Sequence, residues 1–225
     1  MATAGERVGL TYVFDAYCAW CHGFAPTLRA FVEAHADRVD LRVLPAGLYA
    51  GARALPVSAH PHLVRESARV AELTGAHFGE GHRRTVAEGS MMMDSADAAT
   101  GLEALLAQPG ADTLRTLEAM QHAWFIDGLS LSDPATYRVL AVELGLSPLA
   151  VACAYAAPVT HARATVGLRF VRRLNVESYP ALLLTTACGN HHRLGGPLTR
   201  VKELTTAFDE YTHRMSVALE GTCAL

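Results

Sequence analysis

The chain has 225 residues, 51% of them hydrophobic, which suits one large domain or a domain carrying an insertion and leaves ample material for a core. A formal net charge of -3 gives no basic footprint for nucleic acid or anionic lipid, and no apolar run is long enough to span a membrane. Basic charge is almost all arginine, Lys202 being the only lysine, which reads as coding bias and not as a binding signal.

The N-terminus, Met1 to Arg7, is short and polar and shows no signal peptide, so the expected location is cytoplasmic. Val8 to Phe14 reads as a strand, Cys18 to about His35 as a helix with Leu28, Phe31 and Val32 at apolar period, and Val39 to Leu44 as a second strand. Strand, helix, strand at this spacing is a βαβ unit with a parallel pair and a right-handed crossover. Pro45 to Pro56 breaks regular structure, with Gly47 and Gly51 in a loop.

From about Ser58 to Ala157 the pattern is helical, with no convincing strand. Pro61 opens a helix ending at Gly75; Ser95 caps a run carrying Ala98, Leu102, Leu105 and Leu106 that stops at Gln108-Pro109-Gly110. Asp112 precedes Leu114, Leu117, Met120 and Trp124, Ser132-Asp133-Pro134 caps a run of Tyr137, Leu140 and Leu144, and Ser147-Pro148 opens the last helix. Beyond the block, Thr160 to Leu174 is a helix with Ala162, Val166, Phe170 and Leu174 on one face. Asn175 to Pro180 is a turn and Ala181 to Thr185 a strand. Gly189-Asn190 turns into His191-His192-Arg193-Leu194, the two histidines reading as a neutral edge-strand pair. Val201, Leu204, Phe208, Tyr211, Met215 and Leu219 then mark a long amphipathic helix. The fold class is therefore α/β, in the order βαβ, helical insertion, αββα, with residues 1–57 and 158–225 forming one domain and 58–157 an inserted all-helical one.

The stretch that carries chemistry is Tyr12-Val13-Phe14-Asp15-Ala16-Tyr17-Cys18-Ala19-Trp20-Cys21-His22-Gly23-Phe24-Ala25-Pro26. A strand delivers two cysteines to a helix N-terminus, whose unpaired N–H groups and positive dipole end favour a thiolate at Cys18. At i and i+3 the sulfurs can close a small disulfide ring, with Cys18 the exposed attacking thiol and Cys21 the shielded resolving one. In a reducing compartment such a pair is redox-active more readily than structural. Three other readings compete. Half of a zinc site would need further ligands, but Cys153, Cys188 and Cys223 stand singly, so no metal is expected. Cys18-Ala19-Trp20-Cys21-His22 also spells the haem c attachment motif, with Met91-Met92-Met93 as a source of an axial thioether, although haem attachment generally requires export. The third is two buried, unreactive thiols.

A CxxC at the start of the first helix, a helical insertion, and a helix followed by Val-x-x-Tyr-Pro and an antiparallel strand pair resemble the DsbA family of the thioredoxin superfamily. Within it, Phe-Asp-x-x-Cys-x-Trp-Cys-x-Gly-Phe-x-Pro resembles the FrnE-like branch, often labelled predicted protein-disulfide isomerase. The resemblance implies a thioredoxin-like fold with an inserted helical domain. It makes Cys18 the nucleophile and Cys21 the resolving thiol, Pro180 the cis-proline facing the pair, and Tyr179 the residue whose backbone pairs with a bound substrate strand. Some relatives carry a second cysteine pair near the C-terminus, but Cys188 and Cys223 are 35 positions apart and do not reproduce it.

Other residues are read singly. Asp15 could tune the pair by accepting a hydrogen bond or a proton, or simply close a turn. Trp20 offers an apolar platform for substrate, or cover for the disulfide. His22 would favour a thiolate when charged, or is a solvated helix residue. Cys153 falls in an apolar helix and reads as core, while Cys223 reads as exposed. The expected activity is thiol–disulfide exchange through a mixed disulfide, with a protein or small-thiol substrate and no cofactor beyond glutathione as redox partner. Kappa-type glutathione transferases and 2-hydroxychromene-2-carboxylate isomerases share the inserted domain but place a serine at the catalytic position. A redox sensor or client-binding module is the non-enzymatic reading. Met91-Met92-Met93 would supply either a soft apolar wall for specificity or core and loop cover, and an exposed apolar surface there is open to use as a homodimer interface.

Overall fold

In the computed structural model, residues 7–185 and 190–222 are described. The first strand, β1 (Val8–Phe14), runs into helix α1 (Ala19–Ala34) and returns as β2 (Val39–Pro45). β1 and β2 pair in parallel, Val8 opposite Val39 through Phe14 opposite Pro45, as the βαβ spacing requires. A turn of 3-10 helix at Gly51–Arg53 leads to β3 (Leu55–Pro56), which pairs antiparallel with β4 (Met92–Met93). Between them lie α2 (Leu63–Thr74) and α3 (Glu80–Glu88). Helices α4 (Ser95–Leu106), α5 (Thr113–Phe125), α6 (Pro134–Glu143) and α7 (Pro148–Ala156) complete the insertion. α8 (Pro158–Arg173), β5 (Ala181–Thr185), β6 (His191–Gly195) and α9 (Val201–Thr222) close the chain.

The main sheet has the order β2-β1-β5-β6, with β5 antiparallel to both β1 and β6. Period-two alternation in β1 sorts its side chains. Leu10, Tyr12 and Phe14 face α1 and α9, packing with Cys21, Phe24, Leu28, Phe31, Leu204 and Phe208. Val13 faces the other way, where it meets Leu44, Ala181 and Leu183 of the sheet and Val171 of α8. The α1 side of this core continues without a break into the insertion, through Leu102, Leu105, Trp124 and Tyr137.

Several expectations shift on contact with the structure. The insertion does contain a strand, β4, which pairs with β3 in the preceding stretch that the sequence marks as irregular, and α3 is a helix the sequence pattern did not reveal. Six of its nine residues are polar and only His82 is buried, so no apolar period marks it. The N-cap before α4 is Asp94, whose carboxylate accepts from the Ala96 N–H at 2.7 Å, while Ser95 lies inside the helix and accepts from the Tyr49 N–H at 2.9 Å. The caps at Asp112, Asp133 and Ser147 stand where expected. In α8 the buried stripe is Thr160, Ala164, Leu168 and Val171; Val166 is 64% exposed, because packing of Ala164 and Leu168 against Ala99 chooses the neighbouring stripe. Cys153 is exposed and not core, since Val151 and Tyr155, two positions either side, take the buried face of α7. Of the three methionines, Met93 is buried and Met92 is 44% exposed. Met1 to Glu6, Cys188, Gly189 of the hairpin turn and Cys223 lie outside the described residues, as do the side chains of Met215 and Leu219.

Candidate active site

Phe14 ends β1, and the chain crosses to α1 in four residues because Asp15 holds the crossing from both sides. Its Oδ1 accepts from the Tyr17 N–H at 3.0 Å and its Oδ2 from the Leu48 N–H at 2.7 Å, joining the β1–α1 turn to the loop after β2. The Cys18 N–H donates to the Asp15 carbonyl at 3.0 Å, and the Cys18 carbonyl then accepts from Cys21 and His22 N–H groups at 3.0 and 3.1 Å. Cys18 is thus the N-cap of α1, in extended conformation, and Cys21 lies within the first turn.

Both cysteines carry free thiols. Cys21 is wholly buried, as expected of a resolving thiol, but Cys18 is only 4% exposed, less open than the sequence suggests. The reason is the preceding dipeptide. Ala16 and Tyr17 are buried; Tyr17 makes an edge contact with Tyr49 of the loop after β2 at 6.2 Å and is anchored to the insertion by an edge contact with Trp124 at 5.5 Å and a 3.3 Å hydrogen bond between its hydroxyl and that of Ser132. The floor of the site is therefore held by the insertion. Opposite, the Tyr179–Pro180 peptide is cis, and the Tyr179 carbonyl lies 3.9 Å from the Cys18 Sγ. Cys18 and Cys21 form one constellation with Tyr179 and Pro180, although Cys18 and Tyr179 are 161 positions apart in sequence.

The electrostatics divide the pair's neighbours. Burial first, and then the thiol's interaction with Cys18, pushes the Cys21 thiol up. Burial also raises the Asp15 carboxyl, against the hydrogen bonds from Leu48, Tyr17, Ser95 and Gly47 that favour its charge. Asp15 closes the turn, and its position beside Cys21 also places a titrating carboxyl within reach of the pair electrostatically. Trp20 is partly buried against the core. His22 is not a solvated helix residue: its ring stacks on Phe125 at 4.7 Å, and its Nε2–H donates to the His77 carbonyl at 2.9 Å. Burial holds its pKa below the ordinary histidine range, so it does not supply the positive charge expected beside Cys21 at neutral pH.

The fold has counterparts among solved structures. A protein from Nitrosomonas europaea provisionally named a protein disulfide isomerase matches with a TM-score of 0.80 at 17% identity, over 93% of this chain and 99% of that one. The cytosolic disulfide reductase DsbM from Pseudomonas aeruginosa matches with a TM-score of 0.77 at 25% identity, over 92% and 99%. The oxidoreductase DsbA from Xylella fastidiosa gives 0.58 at 14% identity, over 96% and 90%. By fold it is a DsbA-like protein. No protein-family profile matches the chain, and no curated protein matches its sequence.

In this DsbA-like chain the thioredoxin-type sheet and α1 present the two thiols, the turn before β5 presents the cis-proline, and the inserted helices hold the floor. Sequence reasoning missed several contributors. Arg193 lies against the cis-proline loop, its Nη2 donating to the Ser178 Oγ and to the Pro180 carbonyl, each at 3.3 Å. Arg53 and Arg172 act electrostatically on the Tyr179 ring. Nothing in their local sequence links these arginines, since they come together only in the fold. Among the described residues no cluster of three or more His, Cys, Asp or Glu side chains could hold a metal, and no helix is long and apolar enough to cross a membrane.

Proposed function

We propose that the chain is a thiol–disulfide oxidoreductase of the FrnE-like type, working as a disulfide reductase in the cytoplasm on small-thiol or peptide disulfides, glutathione disulfide among them. The observation that carries the reading is the juxtaposition of an N-cap cysteine, a buried cysteine one turn inside, and a cis-proline whose preceding carbonyl faces the first sulfur at 3.9 Å. The Cys18 thiolate attacks a substrate sulfur, one substrate thiolate leaves with the bonding pair, and a mixed disulfide forms on Cys18. The Cys21 thiolate then attacks the Cys18 sulfur, the second substrate thiolate leaves, and the Cys18–Cys21 disulfide results, two electrons having passed to the substrate. An external dithiol, or two equivalents of a monothiol such as glutathione, returns the pair to its reduced state.

Support for the cytoplasmic, reducing direction comes from the likeness to DsbM, described as a cytosolic disulfide reductase and also solved with GSH. The Arg193 guanidinium at the Tyr179–Pro180 loop, with Arg53 and Arg172 bearing electrostatically on Tyr179, suits a substrate with carboxylates, as glutathione has. A transferase or isomerase activating glutathione is disfavoured because those families place a serine where this chain has Cys18, whose thiol, with Cys21 beside it, suits exchange through a mixed disulfide. The test is trapping: Cys21→Ser accumulates a stable mixed disulfide with substrate at Cys18, whereas Cys18→Ser has no turnover. Undiminished turnover in Cys18→Ser refutes the reading.

A further inference from the structure

Tyr12 stands in the middle of β1 on the face that meets α1, between Phe14 and Phe24, with ring centroids at 5.6 and 6.2 Å and interplanar angles of 20° and 27°. A phenylalanine would pack there equally well. The residue is 1% exposed, and its hydroxyl has no partner, sulfur included, within hydrogen-bonding geometry. Buried hydroxyls are ordinarily paired, so an orphan of this kind asks what it serves. The titratable groups that bear on it are two thiols of the same buried cluster, Cys21 first and then Cys18.

We propose that Tyr12 is a positioning residue for the resolving step, its O–H donating to the Cys21 sulfur when that thiol ionises and holding the thiolate for attack on Cys18. The proposal rests on the dithiol reading above and adds a role that the CxxC motif does not carry. A neutral thiol is a weak acceptor and a thiolate a strong one, so the hydroxyl is poorly satisfied before Cys21 loses its proton and well satisfied after. That difference favours the charged form in a site where burial opposes it. The phenol itself stays protonated, because burial and the two neighbouring thiols push its own ionisation well above the ordinary tyrosine range. It therefore donates and does not act as a base. The Cys21 proton passes to solvent, the new thiolate forms its bond to the Cys18 sulfur, and the departing substrate thiolate takes up a proton in turn.

The other titratable groups bearing on Cys21 are Cys18, Asp15 and Tyr179. The Asp15 and Cys18 charges oppose a thiolate there, and a backbone hydrogen bond at Asp15 favours it. Tyr12 is thus set against two opposing charges and the burial of the sulfur.

The test isolates Cys21. In Cys18→Ser protein carrying 13C at cysteine Cβ and tyrosine Cζ, the Cys21 titration is followed by NMR with and without Tyr12→Phe. The expected result is a Cys21 midpoint about one pH unit higher in Tyr12→Phe, a roughly tenfold smaller thiolate fraction at any pH below both midpoints, consistent with loss of one hydrogen bond to a charged group. A merely structural tyrosine leaves that midpoint unmoved, and an unmoved midpoint overturns the proposal. If Tyr12→Phe fails to fold, the Tyr12 Cζ signal in the Cys18→Ser parent decides: it must shift with the Cys21 midpoint, and a signal blind to Cys21 ionisation also overturns the proposal. Neither readout needs turnover, so a protein that exchanges no disulfide ends the oxidoreductase reading and still leaves this test decisive.

Discussion

His82 allows the packing behind the site to be tested through pH. Its ring is 3% exposed, set edge-on to Trp124 at 4.7 Å and tilted against Phe125 at 5.4 Å, with a long 3.4 Å contact from Nε2 to the Ser67 hydroxyl. Nδ1 has no partner within hydrogen-bonding geometry, and the Trp124 backbone, which favours the charged ring, does not offset its burial. Burial therefore lowers its pKa from the ordinary 6.5 to about 4. In the unfolded chain the ring takes up a proton near pH 6.5 and in the folded chain only near pH 4, so the unfolded state binds more protons between these values. Stability is fully present above pH 6.5 and is lost as pH falls toward 4, with nothing further lost below. The gap between 6.5 and about 4 sets a ceiling of about 3.5 kcal/mol, at roughly 1.4 kcal/mol for each pH unit. Urea unfolding followed by tryptophan fluorescence from pH 7.5 to roughly 4 measures this, comparing the parent with His82→Gln. Other groups, His22 and His60 among them, titrate in the same direction, so the difference between the two proteins is the diagnostic quantity. The parent should lose about 2–3 kcal/mol more than His82→Gln across this range. Parallel curves would refute the reasoning.

Two further substitutions probe the insertion. Gly101 in α4 lies so close to α6 that an added Cβ would stand 1.9 Å from the Tyr137 ring, whose hydroxyl is fixed to the Leu131 carbonyl at 2.6 Å. Gly101→Ala should destabilise by about 3 kcal/mol or more through overpacking, read as a lower urea midpoint. Cys153→Ser, on the exposed face of α7, should change stability by less than about 0.5 kcal/mol and leave disulfide exchange intact, checked by unfolding and turnover assays.

How far the sequence reaches depends on whether a signal is local. β1, α1 and β2 follow from apolar runs of strand and helix period around one motif, and each lies within a residue or two of its expected place. The caps at Asp112, Asp133 and Ser147 carry their own chemistry and are equally plain. α3 escapes notice because one buried histidine makes no period, and β3–β4 because a two-residue ladder has none either. In α8 the sequence points to Ala162 and Val166, but the buried stripe runs two positions earlier through Thr160, Ala164 and Leu168, and packing against Ala99 is what selects it. The same holds at the site. Cys18 and Cys21 announce themselves three apart, and Tyr179-Pro180 is recognised by resemblance. The burial of Cys18, the neutral environment of His22 and the orphan hydroxyl of Tyr12 all arise from residues distant in sequence meeting around the pair.

The most direct measurement is equilibration of the purified protein in graded glutathione buffers, with the free thiols at Cys18 and Cys21 counted by alkylation and mass spectrometry. The account predicts a single two-electron transition in which Cys18 and Cys21 pair with each other, at a potential nearer the roughly −270 mV of a reductant than the roughly −120 mV of a strong oxidant. Cysteines that never pair, with one of them instead accumulating glutathione, would contradict it.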